Sequence, residues 1–401
     1  MTNIQLVVFA GVDTHKHTHH AAVIDSNGRQ LGDAQFPATR TGYRELVSFV
    51  ASFGAVVRVG VEGTGSYGAG LARFLRDGGL EVVEVIRPNR QVRRMQGKSD
   101  PIDAYAAART AMVESDQPIP KTADGPVEAI RFLTVARRSA VKARTAAQVQ
   151  IKTLLITAPE PLRHRFQPLG DKELISGLSR LRPSGTDLLG GAIAAALRSL
   201  AQRHKQLTEE ITELEARLET IVERAAPALL ATKGVGVVTA AQLLVTAGDN
   251  PDRLRNEAAF AALCGASPIP ASSGKTTRHR LNRGGDRQAN AALHRIALVR
   301  MSCDQRTKDY VARKRAEGHS NKEILRCLKR AIAREIFTVL TKPVDVPKIN
   351  DLRPLRQALG ISLQTVAEHF NVWPMQVSTI ERGQRRDDNF VTAYRSWLNA
   401  A

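Results

Sequence analysis

Four carboxylates in this chain are spaced so that one fold could bring them together. Asp100 and Asp103 stand three residues apart at the head of a helical pattern that runs on through Ala104 to Arg109. Residues three apart share one face of a helix. Pro101 suits the first helical position, where its missing N–H costs nothing, and this puts Asp100 at the N-cap. Taken alone, the pair could be no more than a cap and a complement to the helix dipole. Asp13 and Glu62, however, each close an apolar run, residues 6–12 and 56–61, that reads as a buried strand. Functional groups of α/β sheets collect at the carboxyl ends of strands. Four acids meeting at one sheet edge repel one another unless cations hold them, and hard oxygen ligands suit Mg²⁺. Two such ions could clamp the attacking and leaving oxygens of a phosphodiester.

A second group with chemical potential lies at 265–287. Ser272 and Ser273 precede Gly274, and Lys275, Arg278, His279, Arg280, Arg283 and Arg287 follow. A serine in that setting could attack phosphorus, because the cations would hold the phosphate and favour the alkoxide. Serines beside glycine are also ordinary turn residues. Upstream, Gly234-Val235-Gly236 separates two helical patterns in the manner of a helix-hairpin-helix, and backbone N–H groups at such a helix start can take a phosphate. Arg87, Arg90, Arg93, Arg94 and Lys98 lead into Asp100 and read as a phosphate guide; Lys16, with His15, would touch phosphate beside Asp13.

Other constellations carry less. His15, His17, His19 and His20 are dense, but alternate strand positions point to opposite faces and no cysteine joins them, so zinc is not expected. The glycine-rich turn at 63–68 lacks the Gly-Lys-Ser/Thr ending of a Walker loop, so its glycines suit close backbone approach instead. Cys264, Cys303 and Cys327 form no Cys-x-x-Cys pair, which fits a reducing cytoplasm; Cys264 reads as a core residue.

The elements that must position these groups divide the chain into four stretches. Residues 1–115 order strands first and then alternate helix with strand, which predicts a mixed sheet covered by helices. Residues 116–225 read as a linker and a mainly helical region. There Ile193, Leu197, Leu200, His204, Leu207, Ile211, Leu214, Leu218 and Ile221 follow a heptad seam, for a coiled coil within one chain or between chains, while 157–191 reads as an irregular connection. Residues 226–342 hold the glycine hairpin and the serine loop. Residues 343–401 read as a linker and a repressor-type helix-turn-helix, with Gln376, Thr379 and Arg382 placed to reach DNA. The formal net charge of +19 in 401 residues points to a polyanionic partner, most simply nucleic acid. Aromatics are only 4%, so base stacking on exposed rings is not the expected binding mode. Neither a secretory leader nor a membrane span is expected.

Asp13-Thr14-His15-Lys16, Val61-Glu62-Gly63-Thr64-Gly65 and Lys98-Ser99-Asp100-Pro101-Ile102-Asp103-Ala104 together resemble the three signature blocks of the insertion-sequence family 110 transposases. The resemblance covers about residues 6–340. It implies an α/β RuvC-like N-terminal domain of the ribonuclease H fold, with Asp13, Glu62, Asp100 and Asp103 as its metal-holding tetrad. It implies a C-terminal transposase domain whose nucleophilic serine matches Ser273, with Ser272 as the near alternative. Implied partners are DNA, a structured noncoding guide RNA and further copies of the chain, as a dimer or tetramer. Two other readings stay open: a metal-dependent junction resolvase or nuclease that uses water, and a non-catalytic DNA-binding regulator acting through the tail.

Overall fold

The computed structural model describes residues 6–85, 99–113, 118–182, 188–272, 274, 279–383 and 386–401. The backbone forms two compact units. One comprises Met1–Glu128 together with Ala247–Arg255; the other comprises Ala129–Thr246 and Asn256–Ala401.

The first unit is a mixed α/β sheet domain. Its strands β1 (Val7–Thr14), β2 (Thr18–Asp25) and β3 (Gln30–Pro37) form an antiparallel meander. After α1 (Arg40–Ala51) comes β4 (Ala55–Glu62), parallel to β1; after α2 (Ala69–Asp77) comes β5 (Glu81–Val85), parallel to β4. The strand order is β3-β2-β1-β4-β5. Alternation along β1 sends Val8, Ala10 and Val12 to one face, where they pack with Val59, Val61, Leu46, Val50, Leu71 and Leu75 against α1 and α2. The opposite face receives α3 (Asp100–Met112), through Ala104, Tyr105 and Ala108 against Ala22 and Ile24.

That second contact is unusually close. A Cβ built on Gly11 would lie 2.0 Å from the Ala108 nitrogen and 2.2 Å from the Ala104 oxygen, and one on Gly60 would lie 2.5 Å from the Ala107 oxygen. The α3 backbone therefore rests directly on β1 and β4. The alanines of α3 supply the matching small face.

The second unit is mainly helical. Helix α4 (Pro126–Thr157) starts in the first unit and continues here, followed by α5 (Glu160–Phe166), α6 (Asp171–Ser179) and α7 (Leu188–Ala225). The stretch read as irregular thus holds two helices. Pro161 falls in the first turn of α5, where a proline is tolerated, and Phe166, Leu174 and Leu178 bury against α4 and α7. The heptad seam is spent within the chain. Leu197 and Ala201 pack on Ile151 and Leu155, while Arg137 near the other end of α4 bonds Glu215 Oε1 at 2.6 Å, so α4 and α7 run antiparallel. Then come α8 (Pro227–Ala231), α9 (Val237–Ala247), α10 (Glu257–Leu263), the short pair β6 (Ile269–Pro270) and β7 (His279–Arg280), α11 (Arg287–Cys303), α12 (Gln305–Ala316) and α13 (Asn321–Thr341). The tail adds α14 (Leu352–Ala358), α15 (Leu363–His369), α16 (Pro374–Glu381) and α17 (Asp388–Ala400) around Val366, Val377, Ile380 and Tyr394. Among the described residues no helix is long and apolar enough to cross a membrane.

Gly11→Ala is expected to cost about 3 kcal/mol or more in chemical denaturation, because neither backbone can retreat without opening the core. Gly65→Ala, whose Cβ meets no atom within 4 Å, should shift the midpoint little. Equal midpoints for the two variants would contradict the close approach.

Candidate functional site: carboxylates beneath a helix N-terminus

The site follows from strand register and helix rise. Val12 pairs with Val61 across the parallel β1–β4 ladder, so Asp13 and Glu62 are level at the strand ends. The period of two puts Asp13 on the same face as Gly11, and Glu62 on the same face as Gly60. That is the face on which α3 lies. Two strand residues advance roughly 6.6 Å, and four helical residues, from Ala107 back to Asp103, retreat roughly 6 Å. The first turn of α3 is thereby brought over the two strand-end carboxylates.

Asp13 and Asp103 are buried, Glu62 and Asp100 half-buried. His15 Nε2 lies 3.3 Å from Asp13 Oδ2 and 3.2 Å from Asp100 Oδ1. One donor atom from each of Asp13, His15 and Asp100 falls within 4.8 Å of the others, a grouping able to hold a metal ion. Glu62 ends the adjacent strand β4, and Asp103 lies on the same helical turn as Asp100. The helix also begins one residue earlier than its sequence suggests. Ser99 is the N-cap, and the Asp103 N–H donates to the Ser99 carbonyl at 3.1 Å. Asp100 therefore lies inside the first turn, and its carboxylate faces His15. The positive end of the helix dipole favours anionic groups there.

Neighbouring contacts stiffen this corner. The Thr14 hydroxyl donates to the Glu62 carbonyl at 2.8 Å and so ties the two strand ends together. His20 is the cross-strand partner of Asp13. Its Nε2 is 2.7 Å from Asp33 Oδ2, and the Tyr105 hydroxyl donates to Asp33 Oδ1 at 3.1 Å. Burial, followed by the Asp33 contact, pushes the Tyr105 phenol up to about 12, so it stays a donor at neutral pH. The histidine cluster accordingly separates. His15 meets the acids, His20 meets Asp33, and the buried His19 stacks on Tyr43 at 5.6 Å between ring centroids. This Tyr105–Asp33–His20 chain escapes sequence reading because nothing in the spacing of 20, 33 and 105 announces it.

The serine loop belongs to the second unit. Ile269 pairs with Arg280 and Pro270 with His279, so β6 and β7 form a short antiparallel pair. Ser272, two residues after β6, is exposed, whereas Ser273, Lys275 and Arg278 lie outside the described residues. The packing beside this pair is held rigidly. Asp286 caps α11 and accepts from the Thr246 hydroxyl at 2.7 Å. The Asn290 amide donates to the carbonyls of Cys264 and Gly265, and Lys329 Nζ donates to Asn290 Oδ1 at 2.9 Å. Cys264 is part of this packing, and burial pushes its thiol up to about 12, which leaves it un-ionised at neutral pH.

The remaining binding candidates are scattered. Lys16 is exposed in the β1–β2 turn, and Arg280 and Arg283 are exposed beside the serine loop. Arg87, Arg90, Arg93, Arg94 and Lys98 lie outside the described residues. Gly234 and Gly236 line a groove of about 550 Å³ that Glu215 and Glu219 of α7 also border, together with Arg295. Those carboxylates make the groove itself a poor seat for phosphate. In the tail, Arg356 and Glu381 form a buried pair at 2.7 Å, to which the Tyr394 hydroxyl donates at 2.8 Å. Arg382 is exposed and Gln376 half-buried, and Trp373, at the entry to α16, is 80% exposed.

Residues 10–158 match the family described as DEDD_Tnp_IS110, a transposase family, and residues 226–312 match the family described as Transposase IS116/IS110/IS902. The chain is similar to the insertion element IS110 uncharacterized 43.6 kDa protein of Streptomyces coelicolor, at 26% identity over 83% of this chain and 94% of that protein. It is also similar to the insertion element IS900 uncharacterized 42 kDa protein of Mycobacterium paratuberculosis, at 24% identity over 83% of this chain and 95% of that protein.

At pH 8, a disulfide thiol reagent should titrate the exposed Cys303 and Cys327 in the native protein and spare Cys264 until the chain is unfolded. Fast reaction of all three thiols would contradict the packing beneath the serine loop.

Proposed function

The chain belongs to the IS110 family of transposases, and on that premise we propose that it cuts and rejoins DNA at the ends of an insertion sequence with Ser273 as nucleophile. Membership makes it an enzyme that acts on DNA. The observation that carries the finer reading is the placing of Asp13 and Glu62 at adjacent strand ends beneath the helical turn of Asp100 and Asp103.

Asp13, Glu62, Asp100 and Asp103 would hold divalent cations. The donor chemistry fits, since the four groups are carboxylates and two of them already share the His15 nitrogen as a cationic or hydrogen-bonding partner. Two bound Mg²⁺ ions would supply positive charge to the oxygens around the scissile phosphorus. The fold is read as RuvC-like, of the ribonuclease H type, in keeping with the sheet order and the family match.

The chain's own residues account for the remaining steps. The Ser273 Oγ attacks phosphorus; the bond to one DNA oxygen breaks, and that strand leaves as a hydroxyl while the other is esterified to serine. Attack by a second DNA hydroxyl reverses the exchange and frees Ser273, so the number of phosphodiester bonds is conserved. Arg280 and Arg283, with Lys275 and Arg278, flank the serine and would hold the phosphate oxygens. Lys16 would contact backbone near Asp13. Arg87, Arg90, Arg93, Arg94 and Lys98 would guide the strand towards Asp100, and Gln376 and Arg382 would add further DNA contacts. The serine and the carboxylates belong to different units, so a site assembled in a homo-oligomer, a dimer or tetramer, suits this division. A structured noncoding guide RNA, implied by the family, accords with the net charge of +19.

The test is trapping on DNA carrying the element's end junction, with Mg²⁺ and the flanking noncoding RNA. Wild type should form a covalent protein–DNA adduct and Ser273→Ala none. Asp103→Asn should lose at least about 10³-fold in strand cleavage. Cleavage that persists without an adduct in Ser273→Ala, yet is lost in Asp103→Asn, would overturn the serine mechanism in favour of a water-using nuclease.

A further inference from the structure

Residues Ala247–Arg255 lie between α9 and α10 in sequence, yet they belong to the sheet unit. Three side chains clamp them there. Asp249 Oδ1 accepts from the Val127 N–H at 2.8 Å. Asn250 accepts from the Thr122 N–H at 3.2 Å and donates to the Pro120 carbonyl at 3.1 Å. Arg253, in the single turn Pro251–Arg253, reaches further, to the sheet itself.

We infer that Arg253 is a positioning residue for the turn that follows Glu62, acting through Glu84 and Thr64. The inference rests on the reading of Glu62 as part of the site. The Arg253 side chain is only 10% exposed. Its guanidinium lies 3.5 Å from Glu84 Oε2, donates through Nε to the Ile119 carbonyl at 3.1 Å, and donates through a terminal nitrogen to the Ala247 carbonyl at 2.9 Å. Glu84 stands on β5 directly beside Val61 of β4, and its N–H donates to the Pro118 carbonyl at 2.8 Å. Its other carboxylate oxygen, Oε1, accepts the Thr64 hydroxyl at 2.9 Å. Thr64 is 5% exposed and is the second residue after Glu62.

The turn that Thr64 anchors is tight. Gly63 adopts φ +68°, a conformation that L side chains rarely take, and its carbonyl accepts from the Ser66 and Gly68 N–H groups. From the end of β1, the Thr14 hydroxyl grips the Glu62 carbonyl. Glu62 is thus held between two threonine hydroxyls, one on its own carbonyl and one just beyond it. The second is oriented by an ion pair whose cation comes from beyond residue 246. A planar guanidinium suits this role because one fork serves three acceptors lying in different directions. An uncharged side chain would leave a half-buried carboxylate without its cation and free to turn from Thr64.

The inference is tested on the full-length protein with Arg253→Met, Arg253→Lys, Thr64→Val and Thr64→Ser. Hydrogen exchange of peptides covering residues 62–68 should speed up about tenfold in Arg253→Met and Thr64→Val, the loss of roughly one hydrogen bond, while peptides from β2 and α1 stay unchanged. Strand cleavage should show kcat lowered about tenfold at unchanged KM for DNA. Thr64→Ser should restore wild-type behaviour, and Arg253→Lys should restore part of it. Unchanged exchange at 62–68 in Arg253→Met would overturn the inference, as would exchange that rises uniformly across the sheet, or a wild-type kcat in Thr64→Val. Local loosening in a protein of which no version cleaves DNA would support the positioning and count against the proposed function instead.

Discussion

The candidate site depends on one steric condition: the backbone of α3 must touch the sheet. Gly11 and Gly60 carry no Cβ, and any Cβ would meet helix backbone at 2.0–2.5 Å. With both positions bare, the helix settles on β1 and β4, and the two-residue offset from Gly11 to Asp13 and from Gly60 to Glu62 does the rest. Were α3 raised by the width of a methyl group, Asp100 and Asp103 would move away from the strand ends. The alanines at 104, 107, 108 and 111 answer the same condition from the helix side, and all four are buried. This is close packing used to set a distance between charges.

Around that contact the polar groups are arranged to hold rather than to react. Thr14, Thr64, Glu84 and Arg253 fix the strand end that bears Glu62. Tyr105, Asp33 and His20 fix the strand beside Asp13. In the second unit, Asp286, Asn290 and Lys329 fix the packing beside the β6–β7 pair while Ser272 stays exposed. Both candidate regions thus share a plan of a rigid base and an accessible end, which suits sites that must take a bulky polyanion.

Much of this was legible in the sequence because it rests on short periods. Apolar runs ending in Asp13 and Glu62 announce strands, and Pro101 announces the start of a helix. The alternation of His19 and His20 predicts opposite faces, as found. What was not legible depends on long-range partners. Local pattern assigns Asp100 to the cap, but tertiary packing starts the helix at Ser99 and frees the carboxylate to meet His15. The stretch 157–191 reads locally as an irregular connection, yet Pro159 and Pro161 sit at the start of a helix, where a proline is tolerated. A heptad seam does not say which helix covers it; here α4, α5 and α6 bury the first half of α7 within the chain. Arg253 gave no signal at all, since an arginine after Pro-Asp in a loop looks like any solvated charge.

A divalent cation held jointly by the strand-end acids and the first turn of α3 would be visible directly. The most direct measurement is an anomalous difference map from crystals of the full-length protein soaked in Mn²⁺. Manganese peaks are expected in contact with the Asp13 carboxylate and with those of Glu62, Asp100 or Asp103. Ordered manganese elsewhere in the crystal, with none among these four side chains, would contradict a shared site.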